Sequence, residues 1–160
     1  MQLDICKSLL AVADSLPGSL NATIIDVLTK LLQATWTSHL TLQGEVILPL
    51  IERRHPDICG LHDRFVPLTQ QHIEISGVND ELIDCFGMIG RSEAVDSAML
   101  GFLLRNAAER RREHVEWEKV LLGPLLPETL TPVERQMFLA WTSANPWPFD
   151  DFRALMADIN

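Results

Sequence analysis

Three histidines, His39, His72 and His114, each stand on the apolar stripe of a different amphipathic segment. Those stripes run Leu28, Leu32, Trp36, His39, Val46, Leu50; then Phe65, Leu68, His72, Ile75; then Leu100, Leu104, Ala107, His114, Leu121. Residues recurring three and four apart share one helical face, so each imidazole is expected to point inward. Imidazole is the commonest protein metal ligand. Glu118, one turn after His114, adds a carboxylate to the same face. A lone histidine on an apolar face is usually a hydrogen-bonded core residue. Three at one height suggest a site of nitrogen and oxygen donors suited to iron, zinc or manganese.

Height follows from where the chain turns. Two residues on adjacent antiparallel helices lie level when their midpoint falls in the connecting turn. For His39 and His72 the midpoint lies between His55 and Pro56, and for His72 and His114 it is Glu93. Both fall in predicted turns, which levels the three imidazoles to within about 3–5 Å.

The positioning elements are helices, because no segment of any length alternates with period two. The spacing predicts a first helix over about Leu3–Leu16, stopped by Pro17-Gly18, and a second running to about Arg54, where His55-Pro56-Asp57 breaks it. A third covers roughly Ile58–Met88, with Pro67 either kinking it or lying near its true start, and Gly87, Gly90 and Ser92 mark the next turn. The fourth covers about Glu93–Leu122 and is stopped by Gly123-Pro124 and Pro127. Thr131-Pro132-Val133-Glu134 restarts a short fifth helix with a capping box. The tail, with Trp147, Phe149 and Phe152, is expected to fold back over the rest as a further helical turn or two. The reading is an all-α, up-down-up-down four-helix bundle with short additional C-terminal helices, a single domain over residues 1–160.

Bulk properties narrow the partners. A formal charge of -9 opposes binding to nucleic acid or anionic lipid. Arg110, Arg111 and Arg112, set among Glu109 and Glu113, read as a solvated mixed-charge face, but Arg111 also lies one turn before His114 on much the same stripe, where it either reaches solvent or pairs with a carboxylate such as Glu118. No stretch approaches the ~18 uncharged apolar residues of a membrane span. Cys6, Cys59 and Cys85 form no C-x-x-C pair and follow no leader, so a cytoplasmic protein with reduced, structural thiols is expected. His55 and His62 fall near the second turn and read as surface residues.

The second and fourth helices also carry His39-LTLQGEVIL-Pro49 and His114-VEWEKVLLG-Pro124, the proline ten residues after the histidine in both. With LTQQHIEI around His72 and LLPETLTPVERQMF after the fourth helix, residues 19 to 140 resemble the hemerythrin-like (HHE cation-binding) family. The resemblance implies a helical bundle with metal ligands on its core-facing histidines. The family's complete site holds two irons bridged by carboxylates. Here Gln43 stands where the second-helix carboxylate is expected, Glu45 points elsewhere, and the first helix has no histidine, Asp4 being its best substitute. A dinuclear site therefore lacks its ligands, and the set His39, His72, His114 and Glu118 is expected to be either mononuclear, holding one iron, zinc or manganese, or empty. Trp36 and Trp117 flank this layer and could fill its volume.

A mononuclear site implies iron, oxygen or redox sensing, or metal binding, with a small diatomic molecule as ligand. The alternative is a metal-free bundle acting as a protein–protein interaction or regulatory module. An enzyme is the less favoured reading, since neither G-x-x-x-x-G-K-[ST] nor G-x-G-x-x-G occurs.

Overall fold

A computed structural model of the chain describes residues 2–18, 20 and 22–136. Among these the structure is all-helical. Helix α1 spans Gln2–Ser15, α2 Ala22–Leu40, α3 Leu48–Arg54, α4 Leu61–Gly90, α5 Ser97–Leu121 and α6 Leu126–Thr129. A π-helical segment, Thr41–Ile47, joins α2 to α3 without a break. No helix among the described residues is long and apolar enough to cross a membrane. The expected refolding of the Trp147–Phe152 tail lies outside the described residues.

Contact pairs fix the relative directions of the helices. Trp36 meets Ser76 and His39 meets His72, so α2 and α4 run antiparallel. Asn79 meets Arg111 and Gln71 meets His114, so α4 and α5 do the same. Arg105 binds Ala13 and Asp14 near the end of α1, and Cys6 near its start feels the charge of Arg111, which makes α1 antiparallel to α5. Between α2 and α5 the numbers rise together, His39 with His114 and Gln43 with Glu118, so those two run parallel.

The π segment was not foreseen. Pro49 cannot donate a hydrogen bond to the carbonyl of Glu45, and its ring crowds that carbonyl. The helix loosens just upstream, where the Leu48 N–H reaches back to the Gln43 carbonyl and Gly44 lends backbone freedom. A π turn takes more residues than an α turn, so the buried face beyond it shifts along the sequence. Val46, expected in the core, is 48% exposed. Leu50 is only half-buried, while Ile47, Leu48 and Ile51 are buried instead.

Other boundaries also move. α4 starts at Leu61 rather than Ile58, after Gly60 at φ +67°, and contains Pro67 as its seventh residue. α5 begins at Ser97, four residues later than expected, because the Asp96 side chain caps the Ala98 N–H at 2.8 Å. Pro127 does not end a helix but sits in the first turn of α6. The capping box holds: Glu134 accepts from the Thr131 N–H at 2.9 Å, and the Glu134 N–H meets Thr131 Oγ1 at 3.3 Å. Arg54 grips Glu134 through two 2.7 Å bonds and also binds the Thr129 carbonyl.

The apolar interior falls into two clusters. The larger joins α1 and the first half of α2 to the end of α4 and the start of α5, with Leu9, Leu28, Leu82 and Leu104 fully buried. The smaller, Ile47, Leu48, Ile51, Leu61, Phe65, Leu68 and Leu122, lies at the opposite end. The histidine level separates them.

α4 ends in a turn that places Ser92 at φ +60°, with Glu93 N–H to Met88 O at 2.9 Å and Ser92 N–H to Ile89 O at 2.9 Å. A side chain in this left-handed conformation costs roughly 1–2 kcal/mol, partly offset on replacement by the greater unfolded-state freedom of glycine. Ser92→Gly is therefore expected to stabilise the fold by about 0.5–1 kcal/mol. Urea denaturation should show a higher midpoint at unchanged slope, and a lower midpoint contradicts the assignment of this turn.

Candidate metal centre

Each histidine comes from a different helix: His39 from α2, His72 from α4 and His114 from α5. One ring nitrogen of each lies within 4.8 Å of the others. The ring centroids are 5.4 Å apart for His39 and His72, 5.0 Å for His39 and His114, and 4.8 Å for His72 and His114. His39 Nε2 and His114 Nε2 share a hydrogen bond at 2.9 Å. Glu118 Oε1 stands 3.6 Å from His39 Nε2 and 3.7 Å from His114 Nε2. All four residues singled out in the sequence thus meet in one layer, with His72 and His114 buried and His39 and Glu118 half-buried.

Two glutamines complete the layer. Gln43, 3% exposed, bridges His72 and Glu118, its Oε1 meeting His72 Nε2 and its Nε2 donating to Glu118 Oε1 at 2.8 Å. Gln71 Oε1 meets His114 Nδ1 at 3.0 Å. The sequence marked Gln43 only as a missing carboxylate. Gln71 was missed, although it adjoins His72 and faces the neighbouring helix.

Trp36 supports the layer from the larger cluster. Its ring stacks on His39 at 5.0 Å and 19°, and its Nε1 donates to Ser76 Oγ at 2.9 Å, which donates in turn to the His72 carbonyl at 2.8 Å. Trp117, in contrast, is 44% exposed and fills none of the layer. Arg111 neither reaches outward with its neighbours nor is held by Glu118 in the contacts described. It is 1% exposed, lies 4.9 Å over the Trp36 ring and donates to Asn79 Oδ1 at 2.8 Å. Arg110 and Arg112 behave as expected, pairing on the surface with Glu74 and Glu109.

Asp4 pairs with Lys7 at 3.6 Å, and no described side chain of α1 enters the layer. His62 is exposed and pairs with Glu52, while His55 bonds to Thr129 Oγ1 at 2.8 Å. Cys6 and Cys85 are buried thiols and Cys59 is exposed.

No family model, curated protein or solved structure matches this chain. The chemistry of the layer is therefore read from its own geometry.

Burial governs the protonation of these groups. It drives His39 and His72 down to about 4 and, with the neighbouring imidazoles and Arg111, His114 to about 3. Burial also lifts Glu118 to about 7 and lowers Arg111 to about 10. Near neutrality the imidazoles are uncharged, the state that can coordinate a cation, so the contacts between Glu118 and the histidines are not ion pairs.

The sign of the acid response follows for chelator-treated protein. With folded values below 6.5, the histidines contribute stability that is complete above pH 6.5 and lost as pH falls toward 4. Glu118, raised from 4.5, acts oppositely, its stability complete below pH 4.5 and lost as pH rises through about 7. Three groups outweigh one, so the urea midpoint in chelator should fall between pH 7 and pH 5, and fall less in His114→Leu. A midpoint that holds or rises over that interval contradicts the burial of neutral imidazoles.

Proposed function

We propose that this chain is a hemerythrin-like four-helix bundle, up-down-up-down, that binds a single first-row transition-metal ion through His39, His72, His114 and Glu118. One observation carries the reading: three neutral imidazoles from three helices place ring nitrogens within 4.8 Å of one another. Ligands held ~2.0–2.1 Å from one ion stand about 3–4 Å apart, so only a small contraction separates the layer from a coordination sphere. Three nitrogens and one carboxylate suit iron, zinc or manganese. The antiparallel neighbours and the parallel α2 and α5 support the bundle topology.

One ion fits better than two. Gln43 supplies an amide where a bridging carboxylate would be needed, and α1 contributes no described side chain. The family resemblance makes iron the first candidate. It also directs the role to oxygen or redox sensing, with water or a diatomic molecule in the position four protein ligands leave open. A second reading rests on the hydrogen bonds of the layer, which join His39 to His114, His72 to Gln43 and Gln43 to Glu118 without an ion. In that reading the chain is a metal-free module whose function is protein binding.

Elemental analysis separates the two. Tag-free protein, loaded anaerobically with ferrous iron and desalted, should retain about one metal per chain, and His114→Ala should retain almost none. Absence of metal in the unaltered protein after loading would overturn the metal-binding reading.

A further inference from the structure

Hydrogen-bond chemistry places the protons in the layer. An amide oxygen can only accept, so the proton between Gln43 Oε1 and His72 Nε2 belongs to His72. By the same rule Gln71 Oε1 accepts from His114 Nδ1–H, which leaves His114 Nε2 an open lone pair. His39 Nε2–H then donates to that lone pair across 2.9 Å. The orientation of Gln43 is mutually consistent, since its NH₂ group faces the Glu118 carboxyl at 2.8 Å.

The two glutamines thus act on the centre in opposite senses. Gln71 holds the remote nitrogen of His114 and aims the other into the layer, as an outer partner does for a metal-ligating histidine. Gln43 occupies Nε2 of His72 and one oxygen of Glu118, two of the four candidate ligands. The geometry points to Gln43 as a built-in competitor for the ion: its amide must leave His72 Nε2 before that nitrogen can coordinate, and it engages one of the two carboxyl oxygens of Glu118. This rests on the metal-binding reading and adds what limits affinity at that site.

Three further observations agree. Gln43 is buried and yet bonds to two candidate ligands, so it is not a surface residue that strays into the layer. It also sits in the π segment, whose Leu48 N–H to Gln43 O bond sets its position, and π segments are frequent at functional sites. A Cβ at the adjoining Gly44 would meet nothing within 4 Å, so the backbone beside Gln43 is not wedged in place.

The test uses the tag-free apoprotein of the whole 160-residue chain titrated with cobalt(II) and zinc(II) against a competing chelator, with Gln43→Leu, Gln43→Ala and Gln71→Leu compared. Circular dichroism and urea midpoints establish that each variant is folded, and the two Gln43 variants guard against failure of one. Both Gln43 variants should bind one ion per chain about tenfold or more tighter than the unaltered protein, and Gln71→Leu should bind about tenfold weaker. A role in packing alone would not move the two glutamines in opposite directions. Equal or weaker binding by the Gln43 variants, with the unaltered protein binding normally, overturns the competitor role and leaves the metal reading intact. Binding by none of the proteins overturns both. Binding only by the Gln43 variants supports Gln43 as the group that blocks the ion and overturns metal binding by the unaltered protein.

Discussion

The structure depends on accommodating a polar layer inside an apolar helical core. An imidazole, an amide or a carboxyl taken from water without a partner costs roughly 1–3 kcal/mol, and this layer contains several. Each is paired across helices: His39 with His114, His72 with Gln43, Gln43 with Glu118 and Gln71 with His114. Such bonds are directional where apolar contacts are not, so they fix the rotation and height of α2, α4 and α5 together. The apolar clusters on either side supply most of the favourable burial, and the layer determines how the helices are registered.

That registration was legible because it is written in the spacing of large residues around three histidines. The stripes through Leu28, Leu68 and Leu104 needed only α-helical periodicity, and the prolines and glycines located the turns closely enough to level the imidazoles. What the sequence did not show were departures from that periodicity. The loosening upstream of Pro49 changed which residues face inward, moving Val46 out and Ile51 in. The stripe position of Arg111 left two places for its guanidinium, solvent or a carboxylate, and its actual partners below the surface, Trp36 and Asn79, carry no charge and so gave no signal in the sequence. Gln43 and Gln71 carry little signal as ligands because an amide has little affinity for a cation, and their part in the layer is to hydrogen-bond His72, Glu118 and His114.

Buried Arg111 changes the electrostatics of the centre without joining it. It depresses His39 and His114 further than burial alone and opposes any cation placed beside them. Its hydrogen bond to Asn79 and its place over Trp36 hold the charge on the side of the larger cluster, away from Glu118. Trp36, in contact with both Arg111 and His39, couples that position to the layer.

The division of the core into unequal parts has a kinetic consequence. Among the described residues, eighteen buried side chains form the cluster on one side of the layer and seven form the other. Local opening begins where the fewest apolar contacts must be broken. In this molecule that is the end containing α3, α6 and the start of α4, fastened by Arg54 on Glu134 and Thr129. The layer borders that end directly, whereas α1 lies against the opposite cluster. Exchange of the interior with solvent is thereby biased to one direction, and the backbone amides of α3 and the π segment should exchange before those of α5 beside α1.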